Sequence, residues 1–287
     1  MTIGGLILLI IGNEQMKFKQ VTLAFIASLG VVGSAQAALV YGQSDTTNLL
    51  LGSAYNLSGT AAGGVQGQLL NLKASFEDHL VSFINNPNYG GTYDPATGIY
   101  GLAAGIDLAS IPFPHTGLGV WKFKNVSPAA SNDVWFGEWA KEVKDSAGNY
   151  TGAADAATRT VFYIGNNTGA SVPNAGTATY SVSGINNGNN LTATGANTFT
   201  ANFNNATLTG QLTGTGTVTS LKVNADIDAS SASFYGTATA NGSIAGDASG
   251  HFFGNQATNT GSLAGIAQFD NRNLDTAFGG TQTSYTP

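Results

Sequence analysis

The segment Thr207-Leu-Thr-Gly-Gln-Leu-Thr-Gly-Thr-Gly-Thr-Val-Thr-Ser-Leu-Lys-Val223 decides the fold class, because threonine and aliphatic residues alternate through it. A period of two places every second residue on the same side of an extended strand. The run Gly214-Thr-Gly216 interrupts this alternation with residues that favour a turn. The segment therefore predicts two short strands, Thr207–Thr213 and Thr217–Val223.

Segments of the same kind fill the C-terminal part of the chain, separated by Asn-Gly, Gly-Asn and Asn-Asn pairs that favour tight turns. The further predicted strands are Thr177–Gly184, Thr198–Asn204, Ala225–Ala229, Ser233–Ala240, His251–Gln256 and Gly261–Asp270. Few charges are available to protect a sheet edge, and closure removes the edges. We therefore predict an eight-stranded antiparallel soluble β-barrel.

The N-terminal part has a mixed pattern. Three segments, Gly119–Val126, Asp133–Trp139 and Arg159–Gly165, predict strands of an antiparallel sheet. Apolar residues at spacings of three and four predict one short helix, and they are Leu69, Leu72, Phe76, Leu80 and Phe83. We expect a mainly β protein whose N-terminal domain is mixed and β-rich, with a short helix.

A change of composition near residues 166–176 divides the chain. Residues 38–170 hold all three tryptophans and 16 charged residues, whereas residues 171–287 hold 7 charged residues and are rich in Gly, Thr, Ala, Asn and Ser. The segment between them has the Gly, Pro and Asn content of a linker. We predict one domain over 38–170 and the barrel domain over 171–287.

Residues 1–37 have the features of a secretory signal peptide in the usual order. Lys17 and Lys19 precede the apolar run Val21–Gly33, and Ser34-Ala-Gln-Ala37 supplies a small-residue cleavage site. Residues 1–15 fit no targeting pattern, so we expect translation to start at Met16. The chain contains no cysteine, which leaves no thiol for a lipid anchor, and we expect a released protein.

The composition also limits the function. Charged residues make up only 9% of the chain, and its formal net charge is −6, which argues against nucleic acid as a partner. The predicted barrel strands lack an outward apolar band with aromatic girdles, so we expect no membrane span. No nucleophile elbow, metalloprotease helix or phosphate-binding loop occurs. We expect a binding protein and not an enzyme.

Two of the three histidines have settings that suit a metal ligand. His79 lies on the apolar side of the predicted helix, where it is either a core residue or a ligand. His115 lies in Ser110-Ile-Pro-Phe-Pro-His-Thr-Gly117, whose prolines restrict the loop; it is either an exposed turn residue or a ligand. His251 precedes two aromatic residues of the predicted barrel and is expected to face solvent or a strand neighbour.

Aromatic residues, Tyr100 among them, are dense around His79 and His115. The residues that we predict to line a site there are Phe76, Phe83, Tyr89, Tyr93, Phe113 and Trp121. Aromatic walls with one or two imidazoles suit a flat apolar ligand that carries iron, namely haem, although an ordinary aromatic core has the same composition. Lys73, Lys122 and Lys124 are candidate partners for propionate groups, and a solvated lysine is the commoner outcome.

Two motifs carry a family resemblance. The stretch Gly250-His-Phe-Phe-Gly-Asn-Gln-Ala-Thr-Asn-Thr-Gly-Ser-Leu-Ala-Gly265, followed by Ala277-Phe-Gly-Gly280, resembles the closing hairpin of transferrin-binding-protein-type barrels. Ser262 and Leu263 stand where that family often has a glycine pair. Within this group, Asp133-Val-Trp-Phe-Gly-Glu-Trp139 and Thr160-Val-Phe-Tyr-Ile-Gly-Asn-Asn-Thr-Gly169 resemble the hemophilin family of secreted haem-binding proteins.

The resemblance covers nearly all of the chain after residue 37. It implies a hemophore of a Gram-negative bacterium that binds haem b in an N-terminal handle domain through axial histidine, here His79 and His115. It also implies export through the periplasm by a Slam-type outer-membrane translocator that recognises the barrel. The further partners it implies are a TonB-dependent haem receptor and haemoglobin as a haem source.

Two other functions fit the same sequence. A secreted protein on this scaffold can bind a host protein of the complement or transferrin type without any haem. A purely structural or adhesive β-domain would leave the histidines without a role. An absorbance spectrum with added haem distinguishes the hemophore from both.

Overall fold

The computed structural model describes residues 39–46, 49–51, 67–69, 91–103, 119–126, 134–167, 169–192 and 199–287. These ranges form strands and a single 3₁₀ turn, Arg272–Leu274. The strands are β1 Leu39–Gln43, β2 Leu49–Leu51, β3 Gly67–Leu69, β4 Thr92–Asp94, β5 Ile99–Ala103, β6 Val120–Asn125, β7 Val134–Ala140, β8 Glu142–Lys144, β9 Tyr150–Ala154, β10 Thr160–Asn166, β11 Thr177–Asn186, β12 Asn189–Leu191, β13 Phe199–Asn202, β14 Thr207–Thr213, β15 Ser220–Asp228, β16 Ser233–Ala240, β17 Ile244–Phe253, β18 Ser262–Gln268 and β19 Thr276–Thr286. The mainly β prediction is confirmed.

The strands before residue 167 form a six-stranded antiparallel sheet in the order β1-β10-β7-β6-β5-β4. Strands β6, β7 and β10 are the three that the sequence predicted, and each agrees within two residues at either end. Two smaller pairs accompany this sheet: β2 with β3 in parallel, and β8 with β9 as an antiparallel hairpin.

The strands after residue 176 close into a barrel. Each neighbour from β13 to β19 pairs antiparallel with the next, and β19 returns to pair with β11 from Thr177↔Thr286 to Ile185↔Ala277. The short strand β12 and strand β13 both pair with β11. The predicted eight-stranded antiparallel barrel is thus confirmed.

Three predicted barrel strands have the wrong bounds. The predicted strand His251–Gln256 overlaps only the end of β17, which begins at Ile244 and ends at Phe253. The predicted strands Thr217–Val223 and Ala225–Ala229 both overlap one strand, β15, in which Leu221 and Val223 point inward while Asn224 points outward. The side chain of Asn224 lies on the solvent side of an unbroken strand. The eighth barrel strand is β19, which was not among the strands predicted from the sequence.

The inward side chains of the barrel form one apolar core. Its largest members are Tyr180, Phe199, Phe234, Phe252 and Phe278, all nearly inaccessible to solvent. The rings of Phe234 and Phe252 meet edge to face, with centroids 5.5 Å apart. Side chains fill the interior, as expected for a barrel of eight strands.

The sheet packs against the outer wall of the barrel through a second apolar cluster. The sheet contributes Ile99, Val134, Phe136, Val161 and Tyr163, and the barrel wall contributes Ile185, Phe253, Ala264, Ile266 and Ala277. A glycine at 279 permits this contact, because a Cβ there would lie 2.7 Å from Cδ1 of Phe136. The outward side of a barrel strand is therefore apolar where the sheet covers it.

The predicted helix lies almost entirely outside the described residues, which include only its first member, Leu69. The structure places Leu69 at the end of β3 and not in a helix. In the ranges described above, no helix is both long and apolar enough to cross a membrane.

Candidate functional site

One side of the six-stranded sheet is lined by large rings, and we call it the aromatic face. The strand register places these residues on the same side because they occupy paired positions across neighbouring strands, such as Tyr93↔Tyr100, Tyr100↔Phe123 and Trp121↔Trp139. The aromatic face consists of Tyr93, Tyr100, Trp121, Phe123, Trp135, Trp139 and Phe162.

The rings of the aromatic face form a continuous series. The centroid of Tyr93 lies 4.5 Å from that of Tyr100, which lies 5.4 Å from Phe123 in a stacked arrangement. Phe123 continues to Trp135 at 5.8 Å. Contacts at these separations add to the stability that burial of the rings provides.

Exposure changes sharply along this series. Tyr93, on the edge strand β4, is 49% exposed, whereas Phe123 and Trp135 are almost fully buried. Trp121 is also buried, with its ring 5.9 Å from Phe162 and 6.3 Å from Trp139. The aromatic face therefore presents Tyr93 outward and supports it with a rigid layer of rings.

The structure describes two of the residues predicted to line the site. Tyr93 and Trp121 lie on the same side of one sheet, but Trp121 is buried whereas Tyr93 is half-exposed. The other predicted residues lie outside the described residues, and they are Phe76, His79, Phe83, Tyr89, Phe113 and His115.

The third histidine, His251, lies at the contact between the barrel and the sheet. Its ring Nδ1 lies 2.8 Å from the hydroxyl of Tyr163, so β17 of the barrel is joined to β10 of the sheet. Burial lowers the pKa of His251 to about 4, and burial raises the pKa of Tyr163 well above its ordinary value. A neutral imidazole therefore shares a hydrogen bond with the protonated hydroxyl of Tyr163, a residue of the sheet that covers β17 and not a neighbouring strand of the barrel.

The lysines suggested as propionate partners point the wrong way for the aromatic face. Lys122 and Lys124 alternate with Trp121 and Phe123 along β6, so they lie on the opposite, barrel-facing side. Nζ of Lys124 donates to Oγ of Ser183 in β11 at 3.0 Å. Lys73 lies outside the described residues.

Several residues of the aromatic face were not identified from the sequence, namely Phe123, Trp135, Trp139 and Phe162. They lie in strands that were predicted correctly, and alternation with Trp121 would have indicated Phe123. Placing Trp135, Trp139 and Phe162 on the same side requires the pairing of β6, β7 and β10, which the sequence does not state.

The chemistry of the aromatic face is that of binding. A half-exposed ring backed by buried aromatic side chains can contact a planar apolar ligand such as a porphyrin. Tyr93 is the most exposed ring of the aromatic face and is therefore the described residue that can make this contact. No group of three or more His, Asp or Glu side chains in the same residues is arranged to hold a metal ion.

The fold and this face define a β-rich binding protein with a ligand-binding part before its barrel. Residues 34–151 match the family model described as the HphA N-terminal heme-binding domain, and residues 170–282 match the HphA C-terminal domain. The chain belongs to the HphA, or hemophilin, family. Its first half is a haem-binding domain of that family, and the prediction of haem capture there is confirmed.

Solved structures to which the chain is similar include a surface lipoprotein and transferrin-binding proteins. A surface lipoprotein is 18% identical, with 57% of this chain and 81% of that chain covered and a TM-score of 0.39. A variant of transferrin-binding protein B from Actinobacillus pleuropneumoniae is 18% identical, with 56% and 80% covered and a TM-score of 0.36. Isotype 1 transferrin-binding protein B from Neisseria meningitidis is 17% identical, with 58% and 33% covered and a TM-score of 0.35.

Proposed function

We propose that this protein is a secreted hemophore: it captures haem b in its first half and delivers it to a receptor in the outer membrane of a Gram-negative bacterium. The observation that carries the proposal is the overlap of two independent features. The match to the heme-binding domain, residues 34–151, includes the strands that carry Tyr93, Tyr100, Trp121 and Trp135. The protein acts in this proposal as a carrier and not as an enzyme.

His79 and His115 are the proposed axial ligands of the haem iron. Both lie within residues 34–151, whereas His251 lies outside this range and is committed to Tyr163. Two imidazoles would occupy both axial positions of the iron, which leaves no open position for oxygen chemistry. Such ligation suits a protein that transports haem unchanged.

The proposed wall of the haem site combines exposed and buried rings. Tyr93 contacts the porphyrin directly because it is the half-exposed member of the aromatic face. Trp121 keeps the wall rigid from within the buried layer, where Trp139 and Phe162 hold it. The remaining proposed members of the wall are Phe76, Phe83, Tyr89 and Phe113.

The barrel serves in this proposal as the export and recognition module. We assign residues 1–37 to a signal peptide with a true start at Met16, residues 38–170 to the haem-binding domain and residues 171–287 to the barrel. The proposed partners are a Slam-type translocator for export, haemoglobin as a source of haem, and a TonB-dependent receptor. The closed, densely packed barrel interior supports this assignment, because it leaves the haem to the other domain.

Absorption spectroscopy of the purified protein with ferric haem tests the proposal. We expect a sharp Soret band and the resolved visible bands of low-spin iron in the wild-type protein. His79→Ala and His115→Ala should each convert the spectrum to a high-spin form or abolish binding, because each removes one axial ligand. A wild-type spectrum identical to that of free haem would refute haem capture, and an unchanged spectrum in one variant would remove that histidine from the ligand set.

A further inference from the structure

Two lysines lie side by side on the barrel-facing side of the six-stranded sheet. Lys122 and Lys124 are two residues apart in β6, so their side chains leave the strand in the same direction, with Cα atoms about 7 Å apart. Both are partly buried. They extend across β5 to the seam where the sheet adjoins Ser183 and Gly188 of the barrel.

In the part of the chain that the structure describes, these two ammonium groups have no carboxylate partner. Among the described residues, no aspartate or glutamate oxygen forms an ion pair with either Nζ atom. Nζ of Lys124 donates to Ser183 Oγ, and burial lowers the pKa of Lys124 below its ordinary value. An ammonium has three N–H donors, and a partly buried charge without a counter-ion is unfavourable.

Two carboxylates of this sheet, those of Glu138 and Asp94, accept hydrogen bonds from other groups. Glu138 is the register partner of Lys122, but its two oxygens accept from Arg159 and from the backbone N–H groups of Asn187 and Gly188. Asp94, on the edge strand β4, accepts from the backbone N–H of Ala96 and the hydroxyl of Thr97. Neither carboxylate neutralises the two lysines.

Glycines line the seam where the two lysine side chains cross it. A Cβ at Gly98 would lie 3.3 Å from Cε of Lys124, and one at Gly188 would lie 3.8 Å from Cε of Lys122. At Gly101 a Cβ would meet both Nζ of Lys122 and Oγ1 of Thr92. The absence of a side chain at Gly101 leaves Nζ of Lys122 close to Oγ1 of Thr92, while Nζ of Lys124 donates to Oγ of Ser183.

We propose that Lys122 and Lys124, with the hydroxyls of Thr92 and Ser183, form a binding site for an oxyanion, a phosphate or a carboxylate, at the seam between sheet and barrel. The site is separate from the haem wall, because the lysines point away from the aromatic face. A bound anion would supply the missing counter-charge through charge-assisted hydrogen bonds, which are the stronger ones in proteins. It would bridge β6 of the sheet to β11 of the barrel.

The test is an NMR titration of the lysine side-chain resonances in the full-length protein. Sodium phosphate and sodium citrate are added in separate series, with sodium chloride at equal ionic strength as reference. We expect saturable shifts of Lys122 and Lys124 with one of the two oxyanions, and this anion identifies the chemical class. Lys222→Met, which removes an exposed cation of β15, is the matched control and should bind the anion as the wild type does.

The variant Lys122→Met/Lys124→Met should raise the dissociation constant at least about tenfold, the loss expected when hydrogen bonds to charged groups are removed. Methionine retains most of the side-chain volume, and the single variants replace the double variant if it does not fold. Absence of saturation in the wild type, or unchanged affinity in the variants, overturns the proposal.

A second comparison separates this site from the haem site. The double variant should bind haem and haem dimethyl ester as tightly as the wild type does. A loss of affinity for haem alone would assign the lysines to the propionates and overturn the separate site. Failure of every variant and the wild type to bind haem would refute the hemophore proposal and leave the anion titration valid.

Discussion

Arg159 donates from Nε to Oε2 of Glu138 across 2.7 Å, with both side chains almost fully buried between the sheet and the barrel. The same guanidinium donates to the backbone oxygens of Arg272 and Asp275, at 2.7 Å each. Glu138 in turn accepts from the backbone N–H groups of Asn187 and Gly188. One buried pair thus joins β7 and β10 of the sheet to two turns of the barrel.

We predict that removing one member of this pair destabilises the protein strongly. Arg159→Met should lower the free energy of unfolding by about 3–5 kcal/mol, because it leaves Glu138 as a buried charge without its partner. Urea unfolding measures the effect. The double variant Arg159→Met/Glu138→Gln should lose less than Arg159→Met alone, whereas an equal or larger loss would show that the pair is not coupled.

Acidification should change the stability contributions of His251 and Asp275 in opposite directions. The pKa of His251 is about 4 in the folded protein, below its ordinary 6.5, because of burial, so the stability it contributes is complete above pH 6.5 and is lost as the pH falls toward 4. Burial raises the pKa of Asp275 to about 6 from 3.8, so its contribution is complete below pH 3.8 and is lost as the pH rises through 6.

Two variants separate these contributions. Between pH 7 and pH 4, the wild type should lose about 3 kcal/mol of unfolding free energy through His251, and His251→Gln should abolish this loss. Over the same range it should gain about 3 kcal/mol through Asp275, and Asp275→Asn should abolish this gain. Urea unfolding at a series of pH values measures both. Parallel pH profiles for the wild type and the two variants would contradict the assigned pKa directions.

Closure of the barrel should depend on Gly280. A Cβ at this position would lie 2.6 Å from Cα of Val182 on the paired strand β11. Gly280→Ala should therefore cost about 1–3 kcal/mol, the range for forcing atoms into a packed site. Gly242→Asn is the control, because no atom lies within 4 Å of a Cβ there and asparagine tolerates its positive φ. Equal thermal stability of the two variants would refute the close approach.

The aromatic face predicts that two equally exposed tyrosines contribute differently to the affinity for haem. Tyr93 and Tyr235 are each 49% exposed, but only Tyr93 extends the ring series. Tyr93→Ala should raise the dissociation constant for haem about 3- to 10-fold, the equivalent of one aromatic contact. Tyr235→Ala, on the barrel, should leave it unchanged. Fluorescence quenching on haem addition measures both constants, and equal effects would remove Tyr93 from the wall.

The sequence predicted the barrel well because its alternation is regular and its outward residues are polar. It failed at β19, where Gly279-Gly280 serves close contacts and not a turn. Alternation along β6 separates Trp121 from Lys122, but only the register reveals that Trp139 and Phe162 join Trp121. Phe253 is apolar although it points outward from the barrel, and the contact with the sheet explains why. Such long-range contacts leave no local pattern.

The central claim is that histidines of the first half hold the haem iron. The most direct measurement is the absorption spectrum of ferric haem mixed with His79→Ala/His115→Ala, recorded beside His251→Gln. We predict that the double variant gives no low-spin Soret band, whereas His251→Gln gives the wild-type spectrum. A wild-type spectrum from the double variant would contradict the claim.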